Sequence, residues 1–119
     1  MSYNIDTFRL KKLENLVIPV ASLFKHERSD WHPERTDGEE TTFHNLGFLI
    51  KGTVQDGNLY VSKFCCYGEG SGTSMRWILE PALKDSRGEL VVSFVWEGGD
   101  CINQLQVKDG DIKWVDIEI

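Results

Sequence analysis

The chain has 119 residues and a formal net charge of −6, with 40% hydrophobic and 27% charged residues. This length and composition fit one folded domain over residues 1–119 and exclude a disordered chain. The negative charge argues against a nucleic-acid-binding protein, because affinity for phosphates depends on clustered lysine and arginine, and the bases here are scattered.

The negative charge is concentrated in two segments. Residues 25–44 carry six acids and three bases, and residues 97–119 carry six acids and two bases, whereas the remaining segments are nearly balanced. Such a distribution attracts basic partners and repels anionic ones. Three cysteines, of which Cys65 and Cys66 are adjacent, fit buried thiols in a reducing compartment, and we expect a cytoplasmic protein.

The N-terminal segment, residues 5–24, has apolar residues near helical spacing. It predicts one or two helices, with Asp6 or Thr7 as an N-cap and Pro19 in the first turn of the second helix, although "LVIPV" is also typical of a strand. The run "LVIPVASLF" at residues 16–24 resembles a weak signal peptide. It is interrupted by Pro19 and too short to span a bilayer, so we expect it to be core.

From Thr42 onward the sequence predicts β-strands. The runs "TTFHNLGFLIKGTV", "NLYVSKFCCYG", "TSMRWILE", "ELVVSFVWE", "CINQLQV" and "IKWVDIEI" are rich in β-branched and aromatic residues. Asp56-Gly57 and Asp109-Gly110 are typical of tight hairpin turns. The predicted fold class is therefore α+β, mainly β: an N-terminal helical segment packed on a curved antiparallel meander of about six strands, as a half-barrel, a barrel or two layers.

The residues that could bind a metal ion, act as a nucleophile or bind a phosphate lack the sequence patterns that these functions require. His26, His32 and His44 have no recognisable metal-ligand spacing, so we expect no metal site and no cofactor. A catalytic pair of Cys65 or Cys66 with His44 would need electropositive surroundings to form a reactive thiolate, and the sequence around the cysteines does not provide them. The glycines of "YGEGSGTS" match neither phosphate-binding pattern, which leaves a contact loop carrying Glu69. We therefore expect that the protein is not an enzyme.

What remains is recognition by the acidic stretch "DWHPERTDGEE", residues 30–40, which we expect to be a long loop. An aromatic anchor flanked by charges is typical of protein-binding surfaces. The predicted partner-binding residues are acidic side chains and one tryptophan: Asp30, Trp31, Glu34, Asp37, Glu39, Glu40 and Glu69.

A short acidic single domain, with no catalytic motif and a β meander behind a helical start, resembles the immunity proteins of bacterial contact-dependent toxin systems. The resemblance implies a protein that binds and neutralises a basic toxin domain such as a nuclease, with no nucleic-acid or membrane partner. No residue is transferred from that family. The alternative is a small β-barrel carrier with a lipid-like ligand in an apolar cavity, and an enzyme with a carboxylate site is a third candidate.

Overall fold

The computed structural model describes residues 5–24, 32–33, 40–45, 47–66, 72–96 and 101–118. The strands are β1 (Ile5–Pro19), β2 (His32–Pro33), β3 (Glu40–Asn45), β4 (Phe48–Gln55), β5 (Asn58–Cys66), β6 (Arg87–Trp96), β7 (Cys101–Lys108) and β8 (Asp111–Glu118). The helices are α1 (Val20–Leu23) and α2 (Gly72–Leu83). All strands belong to one antiparallel sheet, in the order β2-β3-β4-β5-β1-β6-β7-β8.

The predicted N-terminal helical segment is wrong. Residues 5–19 form a single long strand at the centre of the sheet, and the helix after it, α1, has only four residues. The reason is visible in the pairing of β1 with β6, whose register shifts at three places: between Ile5 and Thr7, between Leu10 and Lys12, and between Glu14 and Val17. Each bulge inserts an extra residue into β1 and changes which side chains face the core. The apolar residues of this strand therefore recur near helical spacing.

The third bulge of β1 depends on backbone conformations that few residues adopt. Asn15 lies in the left-handed region, with φ of 49°, and Gly88 of β6 has φ of 90°. A Cβ atom on Gly88 would lie 2.2 Å from the Asn15 carbonyl oxygen. Glycine is therefore required where β1 and β6 approach at this point.

The segment "TSMRWILE" was predicted as a strand, and this prediction is also wrong. It lies in α2, whose core residues Leu79, Ala82 and Leu83 are fully buried at helical spacing. The run "TTFHNLGFLIKGTV" divides into two strands, β3 and β4. The predicted meander of about six strands is wrong as well, because the sheet has more strands and β1 is inserted between β5 and β6. The acidic stretch is not wholly a loop, because His32 and Pro33 pair with His44 and Phe43 of β3.

The two predicted Asp-Gly hairpins are confirmed. Asp56 and Gly57 have φ of 52° and 78° and join β4 to β5, while Asp109 and Gly110 have φ of 47° and 82° and join β7 to β8. Two consecutive positive φ angles are characteristic of the tight turn whose twist matches that of paired strands. These turns set the register of the hairpins on either side of the sheet.

The sheet is strongly bent, as the aromatic contacts demonstrate. Strands β4 and β6 are separated by two intervening strands, so their side chains would lie roughly 14 Å apart in a flat sheet. The ring centroids of Phe48 on β4 and Phe94 on β6 are 6.4 Å apart. Phe8 of β1 bridges the two halves as well, 5.9 Å from Phe64 and 5.7 Å from Phe94. The bend therefore brings the halves of the sheet together over a shared core.

The core lies on the inner face of this bend. It consists of fully or almost fully buried side chains from both halves of the sheet and from the two helices: Leu16, Ile18, Leu23, Phe43, Phe48, Ile50, Leu59, Phe64, Leu79, Ala82, Leu83, Leu90, Val92, Phe94, Leu105 and Val107. Leu16, Ile18 and Leu23 come from the run "LVIPVASLF", as expected of a core segment. In the described part of the chain, neither helix has the length and apolarity to cross a membrane.

One buried polar group in the core region has no visible partner. Asn45, at the end of β3, is only 2% exposed, and within the described ranges neither its Nδ2 nor its Oδ1 atom has a hydrogen-bond partner. A buried amide in this state costs free energy, because it has lost its hydrogen bonds to water. This cost makes Asn45 a sensitive place to test the packing of β3.

Candidate binding surface

The predicted partner-binding residues belong mostly to parts of the chain that the structure does not describe. Of the seven, Glu40 is described, as the first residue of β3. The other six lie outside the described residues: Asp30, Trp31, Glu34, Asp37, Glu39 and Glu69. Their role in partner binding stays a prediction.

Glu40 is engaged by a base of its own chain. Its Oε2 atom lies 3.2 Å from the Nζ atom of Lys51 on β4. The pair is diagonal across the β3–β4 ladder, in which Glu40 is opposite Thr53 and Lys51 is opposite Thr42. Both side chains are about two-fifths exposed, so the pair contributes at most about 1 kcal/mol. Glu40 can exchange Lys51 for a partner's base at small cost, but it is not an unpaired charge.

The histidines and cysteines are the side chains that could bind a metal ion or act as a nucleophile. His44 of β3 is partly buried, and the backbone register places His44 opposite His32 of β2, whereas His26 lies outside the described residues. Within the described ranges no three His, Cys, Asp or Glu side chains are grouped closely enough to hold a metal ion. Cys65 and Cys66 are partly buried thiols at the end of β5. These positions provide no assembled chemical site among the described residues.

A second charged surface lies on the outer face of β1 and β6. The Lys12 Nζ atom is 2.9 Å from Glu89 Oε2 and 3.6 Å from Glu14 Oε2. The hydrogen bond to Glu89, followed by the charge of Glu14, raises the pKa of Lys12 above its ordinary value. Because the Lys12 side chain is 42% exposed, this network is a solvated surface feature.

The outer face continues into a shallow, open groove of about 230 Å³ between β6, β7 and β8. Its charged lining residues are two acids and two bases: Glu89, Asp111, Lys108 and Lys113. A balanced lining of this kind does not select a basic partner over an acidic one. The groove is therefore not the acidic docking surface that the composition predicts.

The last strand, β8, combines acidic and apolar exposed residues. Val115 is 36% exposed and Ile117 is 39% exposed on the outer face, and Asp111 and Asp116 are also exposed. The Asp116 carboxylate accepts a hydrogen bond from the Asn103 side-chain amide of β7. This arrangement places carboxylates and apolar side chains next to one another on an accessible strand.

Trp114 anchors the inner side of the same strand to α2. Its Nε1 atom donates a hydrogen bond to Glu80 Oε1 at 2.6 Å, and the Arg76 guanidinium carbon lies 5.1 Å from the centroid of its ring. The ring is 6.4 Å from that of Phe94. Trp114 is half-buried and packs against the core, and its indole N–H is bonded to the helix. These contacts fix the position of β8 against α2.

Comparison of the chain with protein-family models, with curated proteins and with solved structures found no match in any of the three.

Sequence reasoning did not place β8 among the partner-binding residues. A signal was present, because residues 97–119 carry six acids and two bases, and Val115 and Ile117 alternate with charged neighbours. What the sequence did not reveal is that β8 lies at the edge of the sheet, where its outer residues are accessible.

Proposed function

We propose that this protein is a small acidic binding protein that neutralises a basic protein partner, such as the toxin domain of a bacterial contact-dependent system. The observation that carries the proposal is the charge distribution: a net charge of −6, concentrated in residues 25–44 and 97–119. A negative surface of this kind accelerates encounter with a cationic protein and disfavours nucleic acids.

Inhibition follows from the chemistry of the carboxylate. If the partner is a nuclease, its lysine and arginine residues bind phosphates of the substrate, and carboxylates of this chain would occupy the same positions. Truncating a carboxylate that becomes buried in such a complex costs about 2–5 kcal/mol of binding free energy, whereas a peripheral carboxylate contributes much less. Glu40 forms a surface ion pair with Lys51, and its carboxylate could form an ion pair with a base of the partner instead.

The packing of the core supports a protein-binding role over a lipid-like carrier. The rings of Phe8, Phe48, Phe64 and Phe94 contact one another where the two halves of the bent sheet meet. A carrier would need an apolar cavity in that position. The same proposal locates the protein in the cytoplasm, which the thiols of Cys65 and Cys66 support.

The direct test first establishes whether a neighbouring reading frame encodes a protein with a basic domain, and then combines that domain with the purified full chain. Calorimetry at low and high salt measures affinity, and digestion of RNA and DNA measures inhibition. We expect tight binding that weakens with salt, and loss of nuclease activity at equimolar inhibitor. A basic domain that neither binds nor loses activity would contradict the proposal.

A charge variant tests the acidic stretch within that complex. Neutralising three acids together (Asp37→Asn, Glu39→Gln and Glu40→Gln) should weaken binding at least about tenfold and reduce its salt dependence. The matched control is Asp56→Asn, an exposed acid in the β4–β5 turn whose conformation asparagine also tolerates. Equal affinity for the triple variant and the wild type would remove the acidic stretch from the interface.

A further inference from the structure

The two edges of the sheet differ sharply in length. One edge is β2, with two residues, and the other is β8, with eight residues from Asp111 to Glu118. Across the described ranges, β8 pairs with β7 alone. A strand at an edge directs alternate N–H and C=O groups away from its neighbour, where another strand can bind them. β8 is therefore the long edge at which a strand can be added.

Apolar side chains lie in line with this edge. Ile117 of β8 is opposite Ile102 of β7, which is opposite Val95 of β6, so these residues form a row across the outer face. Val115 lies beside the row, and both Val115 and Ile117 are more than one-third exposed. A strand added to β8 would extend the row and cover their exposed surface.

The charges near this edge determine which kind of strand would bind there. On the outer face of β8 Asp111 is balanced by Lys113, and beside it Asp109 is balanced by Lys108. Asp116 is exposed on the opposite face from Val115 and Ile117, and on that face the described part of β8 carries no base. Opposite charges across neighbouring strands stabilise the pairing and like charges oppose it. The edge therefore favours a strand in which apolar residues alternate with lysine or arginine.

We propose that β8 is the docking edge for an extended basic segment of the partner protein, which binds by adding an antiparallel or parallel strand to the sheet. The inference rests on the proposed function, since it takes the partner to be a basic protein. Main-chain hydrogen bonds to β8 provide affinity, Val115 and Ile117 receive the apolar side chains, and the carboxylates receive the bases.

A second copy of this chain fits the edge poorly. In an antiparallel pair, directly opposite residues share a face, so the register that places Val115 against Ile117 of the copy also places Asp116 against Asp116. Each chain carries a net charge of −6 in addition. The net charge and, in this register, the two Asp116 carboxylates oppose self-pairing, whereas a basic strand meets no such repulsion.

The probe is a synthetic peptide of alternating lysine and valine, as long as β8, and its control is the same peptide with glutamate in place of lysine. Backbone NMR of the full chain records which amides shift, and hydrogen exchange records which are protected. We expect shifts within residues 111–118, with slower exchange at alternate amides of β8, for the lysine peptide and not for the glutamate peptide.

Side-chain variants identify the surface. Val115→Lys should weaken binding of the lysine peptide at least about tenfold, because it removes an apolar contact and adds repulsion. The matched control is Val54→Lys, since Val54 is 41% exposed but lies on β4, in the other half of the sheet. Asp116→Asn is a milder second variant, because Asp116 lies on the face that the lysines of the peptide would occupy, and its binding should fall by a smaller factor. Thermal melts of each variant verify that it is folded.

The outcomes separate this inference from the proposed function. Shifts confined to another strand, equal binding of the glutamate peptide, or a dimer that Val115→Lys dissociates would each overturn the docking edge. If the basic domain of the neighbouring reading frame binds Val115→Lys as well as wild type, the docking edge is wrong and the proposed function stands. If the lysine peptide binds β8 but no basic protein is inhibited, the edge stands and the proposed function is wrong.

Discussion

The buried amide of Asn45 makes the sharpest prediction about this fold. Asn45→Leu replaces a 2%-exposed amide by an apolar side chain of similar size. Because neither amide atom has a hydrogen-bond partner in the described part of the chain, the substitution should remove the cost of a desolvated polar group, about 1–3 kcal/mol. We therefore expect the free energy of unfolding to rise by that amount.

The size of the effect makes it easy to measure. Unfolding entropy is about 2.1 cal/mol/K per residue, which for this length means that 1 kcal/mol shifts Tm by roughly 4 °C. Asn45→Leu should raise Tm by about 4–12 °C, and urea denaturation followed by circular dichroism should show a higher midpoint with an unchanged slope.

The matched control is the same substitution at a satisfied amide. Asn103 on β7 donates a hydrogen bond to Asp116, so Asn103→Leu removes a bond and should lower stability. If Asn45→Leu lowers Tm as Asn103→Leu does, the Asn45 amide has a partner in solution, and the reasoning from its unsatisfied state is refuted.

Three further changes test the packing and charges. Gly52→Ala should lower the free energy of unfolding in urea titrations by about 1–3 kcal/mol or more, because its Cβ atom would lie 2.0 Å from a backbone carbonyl oxygen of β5. Gly57→Ala has open space around its Cβ atom and should cost only about 1–2 kcal/mol of backbone strain. The hydrogen bond to Glu89 raises the pKa of Lys12 above its ordinary value of 10.5. The Lys12–Glu89 pair therefore stabilises the fold fully below pH 10.5, and this stabilisation is lost as the pH rises through the folded-state pKa. Lys12→Met should flatten the fall in Tm at alkaline pH, and an unchanged profile would contradict the pairing. Trp114→Phe keeps the ring contact but loses the hydrogen bond to α2, and calorimetry should show a loss of about 1–3 kcal/mol; undiminished stability would mean that the bond contributes nothing.

Local sequence was sufficient for the turns and for most of the strands after Thr42. Asp56-Gly57 and Asp109-Gly110 form the predicted hairpins because a tight turn needs two positive φ angles, a requirement that acts within a few residues. The charge distribution is likewise a property of the sequence alone. It led to the proposal of a basic partner, which no structural neighbour tests.

The acidic stretch could be assessed only in part. Of its residues, Glu40 is described, and its ion pair with Lys51 was not predictable because it depends on the β3–β4 register. The accessible Val115 and Ile117 were missed for a related reason. Whether a strand lies at the edge or the centre of a sheet is set by the order of strands, which alternation of side chains does not encode.

The sequence by itself determined the antiparallel β character, the hairpin turns and the negative charge, because these follow from side-chain chemistry over short distances. Tertiary structure decided the state of the two ambiguous segments. Residues 5–19 form a central strand because β5 and β6 both pair with it. Its three bulges interrupt the alternation of apolar and polar side chains that would have indicated a strand. Residues 72–83 became a helix because Leu79, Ala82 and Leu83 are buried together only at helical spacing, although part of the same segment also alternates as a strand would.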